Sequence, residues 1–333
     1  MSLLFIVLFL FGLGAALYLF SLSRQKQNPD QKLEDCLKWL FKRTRENRTS
    51  TVAELKAALP LSEEEINNCL AELKRRGWVV EQTGLLSLTP SGTSDALRII
   101  RAHRLAELHL ADQTAVSETE WHTRAEEWEH HLDPEQVEAL SATLGHPTHD
   151  PHGDPIPTRT GRLFSRKGVP LPELEVDQWG RIIHIEDEPE EVFERIAKEN
   201  LFAGMQVKIL DKSSEMIRFI AESAVRSLDV EAASNLFVVK IPREEVIDLS
   251  QARRLSELLP GEAGKIVLVS KAYRGLERRR FMDLGLLPGS IVQVAFENPG
   301  SHTIAYEVKG TLVALRREQA DQIFVEAVKE VAA

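Results

Sequence analysis

Pro147, Pro151, Pro155 and Pro157 fall in one run, His146-Pro147-Thr148-His149-Asp150-Pro151-His152-Gly153-Asp154-Pro155-Ile156-Pro157. A proline lacks the backbone N–H and fixes φ, so such a run neither continues a helix nor enters a sheet interior. It divides the chain into two halves of different pattern. Before it, apolar residues recur at helical spacing; from Leu174 onward they fall in short β-rich runs. The histidines of the run are metal-ligand types, but the Pro-rich spacing favours a connector.

The segment Trp121-His122-Thr123-Arg124-Ala125-Glu126-Glu127-Trp128-Glu129-His130 has the strongest chemical signature. On a helix, His122, Glu126, Glu129 and His130 stand at i, i+4, i+7 and i+8 and share a face. His103 and Glu107 repeat the i, i+4 pair on an expected helix from Ser94 to Asp112. One such pair is commonly just a solvated charged face. Two in neighbouring helices, interleaved with Trp121, Trp128, Leu105 and Leu108, point instead to a metal held between helices. Imidazole with carboxylate suits manganese, iron or zinc, and the absence of thiolate ligands argues against a closed structural zinc site.

Toward the N-terminus, Ser2 to Ser23 carries no charge and is long enough to cross a bilayer as a helix. Arg24, Lys26 and Lys32 follow it and no Lys or Arg precedes it, so the positive-inside rule places the rest of the chain in the cytoplasm. The expectation is a transmembrane signal anchor at 1–23 and a linker at 24–32. Cys36 and Cys69 are the only cysteines, too few for a disulfide framework, which fits a reducing compartment.

Residues 33–92 read as three short helices and a hairpin, a winged helix-turn-helix. Ser62 with Glu65 three residues on marks a helix start, and Gly77 marks its stop. The formal net charge of −10 gives no global nucleic-acid footprint, so DNA binding requires a local patch. Arg43, Arg48, Asn67, Asn68, Lys74 and Arg75 are its candidates. The presumed recognition helix opens Ser62-Glu63-Glu64-Glu65, which sets carboxylates where phosphates would lie. A DNA reader and a helical domain without a nucleic-acid role both fit this segment.

After a helical metal-binding and dimerisation segment at 93–150 and a Pro/His-rich linker at 151–173, two β-rich units follow at 174–242 and 258–327, joined by 243–257. Each alternates strands with one helix, expected at Glu190 to Glu199 and at Leu276 to Leu284. Asn200-Leu201-Phe202-Ala203-Gly204 in the first matches Leu286-Leu287-Pro288-Gly289 in the second. The repeat indicates two tandem SH3-like small β-barrels. The fold class expected is thus multidomain α+β: transmembrane helix, winged helix-turn-helix, all-α metal-binding and dimerisation domain, and two barrels.

His103-Arg104-Leu105-Ala106-Glu107, Trp128-Glu129-His130-His131-Leu132 and Pro151-His152-Gly153-Asp154-Pro155-Ile156-Pro157, behind a winged helix, together resemble the diphtheria toxin repressor/manganese transport regulator (DtxR/MntR) family. The last unit is similar to FeoA through Arg279-Arg280-Phe281-Met282-Asp283-Leu284-Gly285-Leu286-Leu287-Pro288-Gly289 and Gly310-Thr311-Leu312-Val313-Ala314-Leu315-Arg316. The resemblance implies a homodimer activated by Fe2+ or Mn2+, with ligands His103, Glu107, His122, Glu126, Glu129 and His130. It adds Asp35 from the first helix and, from the first barrel, Glu190 or Glu191. Glu126 stands where the iron branch places a cysteine, and Lys38 where the manganese branch has a glutamate. The function implied is a membrane-anchored, metal-responsive transcriptional regulator. The alternative is a membrane metal sensor without DNA binding, whose FeoA-like barrel docks on a ferrous-iron transporter. No phosphate-binding loop or nucleophile elbow is present, so no enzyme is expected.

Overall fold

The computed structural model describes residues 29–114, 116–164, 168–297 and 302–328. They divide into two compact units, with the division at Ile99 and Ile100.

In the first unit, helix α1 (Pro29–Arg45) is followed by α2 (Val52–Ala58) and α3 (Glu63–Arg75). Thr51 and Ser62 cap α2 and α3, each closing a reciprocal box with the glutamate three residues on. Leu37, Leu40, Leu55, Ile66 and Leu73 form the buried faces. Strands β1 (Val79–Gln82) and β2 (Leu85–Leu88) pair as an antiparallel hairpin. Its two-residue turn places Thr83 and Gly84 at φ of 52° and 80°, which suits the twist of the strands. The backbone therefore has the winged-helix order of elements.

Helix α4 (Pro90–Gln113) crosses the division. In the second unit its later turns pack with α5 (Trp121–Glu129) through Ala106, Leu110, Trp121 and Ala125. They pack with α6 (Pro134–Thr143) through Ala102, Leu105 and Val137.

Two six-stranded antiparallel sheets complete the unit. The first comprises β3 (Val169–Pro170), β4 (Trp179–Ile185), β5 (Gln206–Lys212), β6 (Met216–Ala221), β7 (Ala224–Asp229) and β8 (Leu236–Lys240), in the order β3-β8-β4-β5-β6-β7. Helix α7 (Glu190–Lys198) lies between β4 and β5, and α8 (Val230–Ser234) between β7 and β8. The second comprises β9 (Arg253–Arg254), β10 (Ala263–Val269), β11 (Ile291–Glu297), β12 (Thr303–Val308), β13 (Thr311–Arg316) and β14 (Ile323–Ala327), in the order β9-β14-β10-β11-β12-β13. Helices α9 (Gly275–Asp283) and α10 (Arg317–Ala320) occupy the corresponding connections. Each sheet encloses its own core, Phe219 and Val238 at the centre of one, Tyr306 and Phe281 of the other.

Among the described residues no helix is long and apolar enough to cross a membrane. Helix α4 has the length, 24 residues, but carries Arg98, Arg101, Arg104 and Glu107 through its middle. The expected membrane helix at 1–23 lies outside the described residues. The fold class is corrected to an α+β arrangement of helical and sheet domains, with no membrane helix in the described architecture.

The run 146–157, read from the sequence as a connector, is tightly packed. Asp150 to Gly153 and Pro155 to Pro157 are buried, whereas His146, Thr148 and His149 at its start are exposed. Asp150 Oδ1 accepts from the backbone N–H groups of His152 and Asp154, a local turn that proline geometry permits. Arg101 and Arg104 of α4 donate to the carbonyls of Pro157 and Pro155, satisfying acceptors that a buried loop would otherwise leave unpaired.

Candidate metal centre

Helix α4 presents His103 and Glu107 one turn apart, and α5 presents His122 toward them. His103 Nε2 lies 3.1 Å from Glu107 Oε1, and His122 Nδ1 lies 3.3 Å from the same oxygen. One donor atom from each of these three residues falls within 4.8 Å of the other two. Ligands about 2.0–2.2 Å from a shared ion stand at most roughly 4.4 Å apart, so a small contraction suffices to close them on a metal.

Two further groups arrive from loops. His152, on the Pro-rich run, places Nδ1 3.9 Å from Glu107 Oε2 and 3.7 Å from Asp187 Oδ2. Asp187, between β4 and α7, reaches His122 Nδ1 at 3.0 Å, with Glu188 3.7 Å from His122 Nε2. His152 is wedged between the rings of Trp121 and Phe193, and its buried Nε2 has no hydrogen-bond partner among the described residues. It is Nδ1, not the unpartnered Nε2, that faces the carboxylates of Glu107 and Asp187 and is placed to ligate a cation there.

The electrostatics are those of a compact set of opposed charges. Burial opposes ionisation of Glu107, but the charge of His103 and hydrogen bonds from His103 and His122 hold its carboxyl well below the usual range. Burial likewise disfavours the His122 imidazolium, yet Asp187, Glu107 and Glu126 push it up to about 12. Asp150, beside Glu107, behaves in the opposite way: burial, then Asp154 and Glu107, push its carboxyl well above the ordinary value.

The remaining expected ligands divide. Glu129 is buried with Oε2 2.5 Å from His103 Nδ1, and its other oxygen lies 3.6 Å from His130 Nε2. Glu126 is exposed, 3.6 Å from His122 Nε2. Asp35 lies half-buried on α1 of the first unit. Glu190 and Glu191 open α7 and are exposed, and neither joins the histidine cluster. The first sheet contributes Asp187 and Glu188 instead, residues that precede the helix and carry no periodic signal.

Comparison with known proteins finds likenesses over the segments that carry this cluster and over the last sheet. Residues 89–158 match the family described as "Iron dependent repressor, metal binding and dimerisation domain", and residues 253–327 match the FeoA domain. The iron-dependent repressor IdeR of Mycobacterium leprae is 30% identical over 122 residues, covering 36% of this chain and 53% of IdeR. A solved manganese-dependent transcriptional repressor in complex with manganese superposes with a TM-score of 0.56 at 26% identity, over 63% of this chain and 100% of that one. The chain is thus similar to the DtxR/MntR family through its helical metal-binding segment and to FeoA through its last sheet. A "Probable metal transport system membrane protein" of Chlamydia trachomatis is also similar, 45% identical over 74 residues, covering 22% of this chain and 16% of that protein. The chain thus spans about a sixth to about half of the length of these two curated relatives.

The FeoA-like unit packs on the helices that carry the candidate metal cluster. Arg274, just before α9, donates Nη2 to the carbonyl of Pro151 at 2.9 Å and lies over the rings of Trp121 and Phe202. Gly275 follows at φ +62°, where an added Cβ would stand 2.9 Å from the carbonyl oxygen of Ala111. Glu118 faces this guanidinium; burial pushes its carboxyl up to about 7, against the pull of Arg274.

The candidate DNA-contacting residues lie in the first unit. Asn67, Asn68, Lys74, Arg75 and Arg48 are exposed, whereas Arg43 is half-buried and bonded to Glu54 and the carbonyl of Thr49. Lys74 pairs with Glu81 at 2.5 Å, Arg75 with Glu72 at 2.6 Å, and Lys56 with Glu63 at 2.5 Å. The cations of this surface are largely matched by local carboxylates.

Proposed function

We propose that this chain is a metal-dependent transcriptional repressor of the DtxR/MntR type, responding to divalent iron or manganese and acting as a homodimer. The observation that carries the reading is the convergence of His103, Glu107 and His122 from two helices with His152 and Asp187 from two loops. These residues would hold the ion, with Glu126, Glu129 and His130 as a second candidate set. When bound, the ion supplies two positive charges to a site rich in carboxylates. The protein's part is to present neutral imidazoles and ionised carboxylates, so loading competes with protons. An ion that binds one arrangement of the chain favours that arrangement by its differential affinity.

A second reading has support in the first unit: a metal sensor that does not read DNA and acts on a ferrous-iron transporter through its FeoA domain. The acidic opening of α3 and the paired Lys56, Lys74 and Arg75 favour it. Fluorescence anisotropy of the purified protein on labelled DNA from its own upstream region, with and without Mn2+ or Fe2+, separates the two. Metal-dependent binding that survives competitor DNA at physiological salt supports the repressor. Absence of binding by metal-loaded dimer refutes it and supports the second reading.

A further inference from the structure

Between the two sheets lies a cavity of about 720 Å³ that the metal chemistry does not use. Trp179 of β4, Ile220 of β6, Leu268 of β10 and Leu249 of the connector give it apolar walls. Arg181, Lys208 and Lys271 add three cations. Its volume falls within the roughly 300–1,000 Å³ of small-molecule sites, where apolar walls surround a few polar anchors.

The charges at this cavity are not equivalent. Lys208 is held by Asp177 at 2.7 Å, and Arg181 faces Glu245 at 3.9 Å. Glu222, at the β6–β7 turn, accepts from Ser270 Oγ at 2.5 Å and from the backbone N–H of Lys271 at 2.9 Å, which ties the sheets together. Asp248 is bonded to the backbone of Ser250. The Lys271 ammonium has no ion-pair partner among the described residues, and its stem is laid against Gly204, where an added Cβ would come within 3.3 Å of Lys271 Cε. Burial, reinforced by Arg278 and opposed by the Glu222 carboxylate, lowers the Lys271 pKa. A partly desolvated cation that no carboxylate meets at ion-pair distance, Glu222 acting on it only from further off, is unfavourable, and an anion entering the cavity relieves it.

We propose that this inter-sheet cavity is a binding site for a small amphipathic monoanion, with its apolar body against Trp179, Leu249 and Leu268 and a carboxylate-type head on Lys271. One unpaired cation suits one negative charge. A polyphosphate needs a denser set of unpaired donors than the cavity offers.

Trp179 lies in the cavity wall and makes the test direct. The full-length protein is titrated with octanoate, octanol and octylammonium while tryptophan emission is followed, with Trp179→Phe removing the reporter. The expected result is a saturable change with octanoate, at least tenfold weaker binding of the other two, and loss of the signal in W179F. Lys271→Gln should weaken octanoate at least tenfold, and Lys271→Arg should retain it. Both variants are compared with the parent by thermal denaturation, so that a folding defect is recognised and the arginine variant then decides the outcome. Equal binding of octanol and octanoate, no saturable change with octanoate, or full octanoate binding by a folded K271Q overturns the proposal.

Discussion

Replacing Gly153 by alanine tests whether the Pro-rich run is pressed onto the first sheet. The residue sits at φ +91°, and an added Cβ would stand 1.9 Å from the carbonyl oxygen of Ile183, far inside any non-bonded contact. The nearest atoms are backbone, so no side-chain rotation relieves the overlap and the run must lift from β4 by on the order of 1 Å. Lifting loosens the bond from the Ile185 N–H to the carbonyl of His152, 2.9 Å long, and the 3.2 Å contact of His184 Nδ1 with that same carbonyl. A left-handed backbone costs an L-residue about 1–2 kcal/mol, overpacking about 1–3, and a buried hydrogen bond about 1. The expected destabilisation is about 3–6 kcal/mol. Gly145→Ala is the internal control, because Gly145 has φ +77° but nothing within 4 Å of an added Cβ, and should lose only the backbone penalty of about 1–2 kcal/mol. Urea denaturation followed by tryptophan fluorescence reads both as a shift in midpoint at constant slope. Metal titration of G153A should also show weakened binding as His152 moves. Equal losses for the two variants, with unchanged metal affinity in G153A, would refute the close approach.

Asp187→Asn removes the carboxylate nearest His122; NMR titration should show the imidazole well below its present value of about 12, and chelator competition should show metal affinity down roughly tenfold to a hundredfold. Unchanged affinity removes the first sheet from the centre. Glu118 has a folded pKa raised to about 7, so its contribution to stability is complete below the ordinary value of 4.5 and is lost as pH rises through 7. Glu118→Gln should flatten the fall in denaturation midpoint between those values, and a profile parallel to the parent's would contradict the assignment. Reversing Glu63 and Glu64 to lysine should steepen the salt dependence of DNA binding and lower discrimination between operator and random sequence, if α3 reads bases. Binding that is insensitive to both changes would place α3 away from DNA.

Much of the fold was legible because it rests on local signals. The capping box at Ser62 and the stop glycine at Gly77 mark helix ends close to where they occur, whereas the box at Thr51 shows only in the structure. The pairing of His103 with Glu107 is legible because a helical turn brings i and i+4 together whatever surrounds them, whereas His122 meets them through the packing of α5 on α4. Asp187 and His152 were not assigned, since each lies in a loop and reaches the centre through packing of a sheet and a proline-rich turn. Reading 146–157 as a connector followed from its prolines, yet proline excludes only regular structure, and the carbonyls it leaves are taken by Arg101 and Arg104. Glu190 and Glu191, which the resemblance implies, stand on the exposed start of α7, and the carboxylates that approach His122, Asp187 and Glu188, lie a few residues earlier. The matched charges on α3 were also out of reach, because partners such as Lys74 and Glu81 belong to different elements.

The two sheets repeat not only strand order but also defects. The register shifts between Ile182 and His184 in β4 and between Ile266 and Leu268 in β10, and again between Ile209 and Asp211 in β5 and between Val294 and Phe296 in β11. A strand from one copy is therefore geometrically acceptable in the other, and adjacent copies on one chain are at high mutual concentration while they fold. Such tandem twins are exposed to exchange of strands during folding. The copies differ in side chains, as where Phe219 stands in one core and Tyr306 in the other, so an exchanged strand would bring a different side chain into the core it enters.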